Sequence, residues 1–562
     1  MELLSLQSEI LQESSRTSNT WKNRTHQQTD AIFVGYEDQE NLGLRYIMAT
    51  LAKEGFRSEL IPHTPENPEP VIRLAKEKVP LLMGFSLIFQ YAIDEIADLT
   101  SELRKVGVRS HFTVGGHFPS IRPREALESM PCIDSVVRFE GELTTVELLR
   151  HIETPEAWDS IEGMAFRRGD EIVVTPPRHL VNELDRLPSP IRSGSREIPR
   201  NIRVASLLAS RGCLYNCSFC SIRQFYGTAP GPLRRIRSPK AVVDEMRTLY
   251  KQDGIRFFIF QDDDFAAKTG SQRRWVTNFL DALDETGLSS NIRWKISCRV
   301  DDVNSELLRG CQNRGLIYIY LGVESGNDAG LITLNKQITV NQNIQAIETL
   351  KRIGVSFDMG FMMFDPDSTI NSVRQNIRFL RRVTSGGVCP ADFGKMLPYA
   401  GTPIESRLAS ESRLRGTLSM PDYDFLDPRL DRYANFVAKA FRHRSIGSLG
   451  LLERLRFVRF DYLMAREFET PVAIKEYGRE LARVVDHANL SAFKTLEEGL
   501  NILEQYNHSK AMANCSSLDD LVESQREIDI GIQYELDDVL SAYAPILLRS
   551  YFDEYQRKIG SP

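Results

Sequence analysis

Cys213, Cys217 and Cys220 fall within eight residues of a 562-residue chain, in the run RGCLYNCSFCS, spaced C-x3-C-x2-C. Clustered thiolates bind zinc or iron–sulfur clusters. A closed structural zinc site takes four ligands, and no cysteine or histidine follows at a spacing that completes one. A [4Fe–4S] cube held by three cysteines leaves one iron open to a substrate or cofactor. The spacing therefore favours an iron–sulfur cluster, with zinc and a distant fourth ligand as the alternative. Cys132, Cys298, Cys311, Cys389 and Cys515 are scattered and read as small buried apolar residues.

Two series of elements must position these thiols. From Ala31 to about His151 short apolar runs (AIFVGY, LLMGFSL, HFTVGG, SVVRF) alternate with helix-period segments, the pattern of a doubly wound parallel sheet. GMAFRRGDEIVVTPP reads as a hairpin, and the stretch up to Asn201, rich in Pro, Ser and Arg, as a linker. A second series runs through VASLLAS, GIRFFIFQ, IRWKISCRV, GLIYIYLGVESG, GVSFDMGFMMF and VCPADFGKMLPYAGTP. Six strand–helix units make a partial parallel barrel, whose chemistry sits at the carboxyl ends of the strands. The expected organisation is a polar leader (1–30), an α/β domain (31–155), hairpin and linker (156–200), a barrel (201–405) and a mostly helical C-terminal domain (406–562). Aromatic residues of that last part, Tyr423, Phe425, Tyr433 and Phe436, are expected in a core, with the helical tail closing the barrel mouth.

Composition narrows the class. Hydrophobic residues make up 42% and charged residues 26%, a globular balance. A net charge of −6 supplies no basic footprint, so no nucleic-acid partner is expected. The longest apolar stretch, Val79–Phe89, is far shorter than the roughly 20 residues of a transmembrane helix. The N-terminus lacks a secretory pattern, and a thiol cluster without export signals is expected in a reducing cytoplasm.

The C-x3-C-x2-C run, with Phe219 before its last cysteine and directly after a first barrel strand, resembles the signature of the radical S-adenosylmethionine (SAM) superfamily. The resemblance implies a [4Fe–4S] cluster on Cys213, Cys217 and Cys220, whose open iron chelates SAM and, once reduced, cleaves it to a 5′-deoxyadenosyl radical. It also implies SAM contacts from Phe219, from Arg299 to the SAM carboxylate, and from the GxESG-like YLGVESGND. There Gly322 permits a tight turn, while Glu324 and Ser325 offer acceptors for ribose hydroxyls or the methionyl amine. Asp262, Asp263 and Asp264 lie where the family places groups near the SAM amine; an acidic loop or helix N-terminus explains them equally well. PYAGTP is similar to the motif ending the last strand, and FMMFDPDST departs from the family's fifth-strand turn.

The first domain is similar to the Rossmann-like cobalamin-binding domain of B12-dependent radical SAM proteins. TVGGHFPS and FEGELTTVELL match its fourth- and fifth-strand loops. The match implies that Gly115 and Gly116 admit a bulky flat ring, with Glu140, Gly141 and Glu142 on the same rim. Where that family often has D-x-H-x-x-G, this chain has Asp38 to Gly43 with Glu40 in the histidine's place. A carboxylate is a poor substitute for imidazole on cobalt, and His63, His111 and His117 are not expected to ligate it.

The two modules together imply a radical methyltransferase acting on an unactivated carbon of a small metabolite, lipid or peptide, served by a flavodoxin- or ferredoxin-like electron donor. Cyclisation, ring contraction or oxidation without methyl transfer, and a non-catalytic cobalamin sensor, are the alternatives.

Overall fold

The computed structural model describes residues 29–192, 196–265, 269–445, 450–469, 474–504 and 515–543. The leader expected over 1–30 lies outside the described residues except for its last two, as does the side chain of Cys515. Seven strands form the first sheet: β1 (Ala31–Gly35), β2 (Ser58–Pro62), β3 (Leu82–Ser86), β4 (His111–Gly115), β5 (Ser135–Val137), β6 (Met164–Arg168) and β7 (Glu171–Val174). Their order is β2-β1-β3-β4-β5-β6-β7, parallel through β5 and antiparallel beyond. Alternate side chains of β1 point to opposite faces. Ile32 and Val34 join a core under the helices Glu69–Lys78 and Ile93–Lys105. Ala31 and Phe33 join another under Leu42–Lys53 and Gly141–Arg150. The sheet is thus covered on both faces, as doubly wound sheets are.

Two features differ from the expectation. β2 is a half-exposed edge strand (SELIP) whose polar residues mask the strand pattern. The hairpin β6–β7, expected ahead of the linker, instead extends the first sheet, because Ser135–Val137 pairs with Met164–Phe166.

The second sheet comprises β8 (Arg196–Ile198), β9 (Ile202–Leu207), β12 (Phe257–Phe260), β13 (Arg293–Arg299), β14 (Leu316–Glu324) and β15 (Ser356–Phe361). A two-residue ladder, β10 (Ser210–Arg211) with β11 (Arg235–Ile236), lies between β9 and β12 in the chain. The order is β15-β14-β13-β12-β9-β8, with five parallel strands and β8 antiparallel at the edge. The sixth parallel strand expected over 388–403 is reduced to one bridge, Phe364 with Lys395, flanked by Met363 N to Gly394 O at 2.8 Å and Met396 N to Phe364 O at 2.9 Å. Pro390 and Pro398 lack the N–H that a ladder needs, so the last unit of this half-barrel is extended chain.

Outside the half-barrel, Phe258, Phe260, Trp294 and Phe279 pack with the surrounding helices. Tyr423, Phe425, Tyr433 and Phe436 of the tail are buried in that same core, as expected. Inside, Ile202, Val204, Phe257 and Ile317 meet Leu463 and Met464 of the helix Leu451–Phe468. The tail therefore packs along the barrel and against its inner face. None of its described residues lines the mouth, which faces the first domain.

Candidate active site between the two sheets

A cavity of about 710 Å3 opens where the carboxyl edge of the first sheet confronts the half-barrel. That lies in the upper part of the range of roughly 300–1,000 Å3 that small-molecule and cofactor sites occupy. Gly115, Gly116, Glu140 and Gly141 all line it, together with Ser210, Arg211, Asp262 and Asp263 at the barrel end and Lys295 and Tyr320 from the barrel interior. No described residue beyond Tyr320 contributes to its wall.

On the first-domain side Gly116 is sterically required. Gly116 has φ 126°, and a Cβ there would stand 2.2 Å from the Leu87 carbonyl oxygen. At Gly141 a Cβ would meet Ile47 at 2.9 Å. This bare backbone rim fits a bulky planar ligand of the cobalamin kind. Glu140 sits on the rim, and its carboxylate is engaged by protein partners. Arg211 Nη1 and Arg235 Nη1 each donate to it at 2.8 Å, and Val181 N does so at 2.8 Å. Burial would raise its pKa; the two guanidiniums outweigh that and hold the carboxyl below the ordinary range. Glu142 takes the other Arg211 nitrogen at 2.7 Å. Glu40 likewise faces the barrel: Ser206 N donates to it at 2.6 Å, and Arg192 also reaches it.

Of the histidines, His111 starts β4 at the far end of the strand and bonds Ser135 Oγ at 2.8 Å. His63 packs on Tyr36 with ring centroids 5.2 Å apart, and neither histidine lines the cavity. His117 does. Its Nδ1 lies 3.2 Å from Ser221 Oγ, its ring stacks on Phe225 at 4.4 Å, and burial pushes its pKa down to about 4.

The three thiols occupy one loop, Cys217 buried and Cys213 and Cys220 half-buried, all unpaired. The backbone is tied in place around them. Gly212 (φ 85°) admits no Cβ, since one would stand 1.8 Å from Leu233 O, and its N–H donates to Asp263 Oδ2 at 2.8 Å. Asp262 accepts from Ala209 N at 3.0 Å and Ser210 Oγ at 2.6 Å. Ser218 is held to the Leu334 and Thr333 carbonyls at 3.0 and 2.8 Å. The acidic run is thus the loop's anchor. Removal from bulk water pushes Asp262 and Asp263 up to about 6. Asp264 faces Asp302; burial and then that neighbouring carboxyl push it well above the carboxylate range.

Beside the thiols stand two cations. Arg299 Nη1 lies 3.4 Å from Cys217 Sγ, and the guanidinium also donates to Asp301 at 2.9 Å and Lys336 O at 2.6 Å while covering the Tyr215 ring at 3.6 Å. It therefore reaches the thiol loop and is bonded on three sides. Lys336, buried and not foreseen, pairs with Glu324 at 2.7 Å. Gly322 lies beneath them; a Cβ there would stand 2.8 Å from Lys336 Nζ. Glu324 holds φ 66°, a left-handed conformation unusual for a side chain with a Cβ. Three thiols in one loop beside two cations fit a cluster; burial pushes Cys213 up to about 11, so its proton must leave when metal binds.

Ser325 Oγ receives Asn327 Nδ2 at 3.0 Å and lies 3.3 Å from Asn376 Oδ1 in a buried network. Phe219 packs against the outer core of the barrel.

Sequence reasoning missed Arg211 as a link between domains, Lys336, and the interior pair Lys295 and Tyr320. Period-two alternation back from Arg299 along β13 was the available signal for Lys295.

Comparison with known proteins agrees with this layout. The family model described as "B12 binding domain" matches residues 30–149, and that described as "Radical SAM superfamily" matches 207–380. An uncharacterized methyltransferase of Pyrococcus horikoshii is 27% identical over 69% of this chain and 82% of its own. An anaerobic magnesium-protoporphyrin IX monomethyl ester cyclase of Cereibacter sphaeroides is 31% identical over 60% of this chain, which spans only 54% of that relative. The solved cobalamin-dependent SAM radical enzyme OxsB shares the fold, with TM-score 0.66 and 16% identity over 93% of this chain and 82% of its own. With both modules matched in the same order, and their sheets facing one cavity, the chain belongs to the cobalamin-binding radical SAM superfamily.

Proposed function

We propose that the chain is a cobalamin-dependent radical SAM enzyme, a methyltransferase acting on an unactivated carbon of a small molecule, lipid or peptide. The observation that carries the reading is the shared cavity: the glycine rim of the first domain and the interior of the half-barrel face one space, walled in part by Ser210 and Arg211, which lead into the loop of Cys213, Cys217 and Cys220. Bound there, a [4Fe–4S] cluster with SAM supplies a carbon radical, and cobalamin a transferable methyl group. Cys213, Cys217 and Cys220 would hold the cluster. Arg299 and Lys336 set positive charge beside Cys217. Gly322, Glu324 and Lys336 shape the adjoining floor, and Gly115, Gly116 and Gly141 keep side chains off the opposite rim. The protein's part is to hold reactants close together and exclude water. A reduced cluster also needs a small electron-transfer protein and a reducing compartment, the cytoplasm.

The likeness to the cyclase favours a second outcome from the same site, ring closure or oxidation without methyl transfer. Anaerobic reconstitution with iron, sulfide and hydroxocobalamin, followed by optical spectra and a 5′-deoxyadenosine assay, tests the reading. The expected result is both chromophores and SAM cleavage, lost in Cys217→Ala. Full-rate cleavage by that variant, or zinc in anaerobically purified protein, overturns it; product mass separates methyl transfer from cyclisation.

A further inference from the structure

We propose that Lys295 is the recognition point for an anionic group, a carboxylate or a phosphate, on the substrate. The inference rests on the enzyme reading above and names the substrate class for the same cavity. Lys295 lies on β13 two residues before Ser297 and four before Arg299, so the strand's period sets all three on the barrel's inner face. At roughly 3.3 Å per residue it stands about 13 Å below Arg299, away from the thiol loop.

The other charges around this interior are engaged. Asp358 accepts from Arg459 Nη1 at 2.7 Å and from Tyr318 OH at 2.5 Å. Arg293 bonds Glu467 at 2.9 Å, and Lys336 bonds Glu324. Lys295, half-buried, forms no hydrogen bond or ion pair among the described residues, and its Nζ lies 6.0 Å from the centre of the Tyr318 ring. Burial lowers its pKa, and Asp358 offsets this only in part. Because Arg459 already balances Asp358, the cavity floor carries one uncompensated positive charge.

An ammonium withdrawn from water without a partner is unfavourable, and an incoming oxyanion removes that penalty. Lysine is a compact point charge on a flexible stem, suited to a single oxygen of either anion. Tyr320, 47% exposed into the cavity, adds a hydroxyl that bonds to nothing among the described residues. Together they form a two-donor floor below the reacting end of the site.

The test uses the full-length protein, purified anaerobically. Acetylation of each lysine by an N-hydroxysuccinimide ester is followed by peptide mass spectrometry in inorganic phosphate, in succinate, or in sodium chloride at matched ionic strength. One of the two anions should protect Lys295 selectively, and the protecting anion identifies the group. Calorimetry with the same anion should show binding about tenfold or more weaker in Lys295→Met, with Lys295→Arg closer to the parent, as expected for a charged hydrogen bond. Absence of selective protection by either anion, or unchanged affinity in Lys295→Met, overturns the inference. SAM cleavage by the reconstituted parent is scored separately. Cleavage without anion protection sinks only this inference; protection without cleavage sinks only the enzyme reading.

Discussion

Arg211→Met should loosen the contact between the two domains by an amount the structure allows to be worked out. The guanidinium is buried between Glu140 and Glu142, with side-chain exposures of 9%, 7% and 4%. Without it, Glu140 keeps Arg235 and the Val181 amide. Glu142 keeps no cation among the described residues, so its carboxylate is stranded. Removing one partner of a buried ion pair costs about 3–5 kcal/mol, chiefly through the charge left behind. A chain of this size does not unfold in one step, so the readout is hydrogen exchange in the helix Gly141–Arg150, which reports local opening. Exchange there should quicken on the order of 10²–10³-fold or more in Arg211→Met. Pairing it with Glu142→Leu should restore most of the protection, since apolar replacement of both partners is often neutral. Single and double variants that add independently, or a change of less than about tenfold in Arg211→Met, would refute the latch.

Acid should act on the same contact. Glu140 has a native pKa held below its ordinary 4.5, so its contribution is present above that value and lost as pH falls through the depressed native one. Limited proteolysis of the segment 178–192 should therefore accelerate below about pH 4 in the parent, and the step should shrink in Arg211→Met. Gly212→Ala forces a Cβ against Leu233 O at 1.8 Å; iron content after reconstitution should fall sharply while circular dichroism stays near that of the parent. Trp294→Ala removes a fully buried ring that packs on Phe260, Phe265 and Phe279 and donates to Arg314 O at 2.8 Å. Hydrogen exchange in the strand Arg293–Arg299 should quicken, reporting a local weakening of the barrel by about 3–5 kcal/mol.

What could be read from the sequence was what repeats or clusters. The apolar runs of β1, β3, β4 and β5 stood out because their residues are buried on both faces, and β13, β14 and β15 of the barrel because buried apolar residues recur along them, in strict alternation in β15. The thiols stood out by proximity. β2 did not, because SELIP is half-exposed at an edge and carries a glutamate and a proline. The sixth barrel unit looked like a strand in its apolar content, but its prolines cannot donate to a ladder. Within the site, Gly116 marks backbone that admits no Cβ, whereas polar side chains were less legible. Whether Ser325 faces a ligand or an asparagine depends on Asn376, some fifty residues on. Glu140 looks like a rim ligand until Arg211 and Arg235 arrive from the other domain. Such pairings have no period, and only the folded chain brings them together.

The thiol loop is fastened to its neighbour at both ends: Arg211 precedes it, and Ser221 and Phe225, just after it, hold His117. Its coordinates are therefore inherited from two modules at once. Grafting a cognate N-terminal module from a relative onto this barrel should misplace the thiols unless positions 140, 142 and 117 travel with their counterparts at 211, 221 and 225. Chimera builders should treat the junction as a single cassette, with the crossover point outside it.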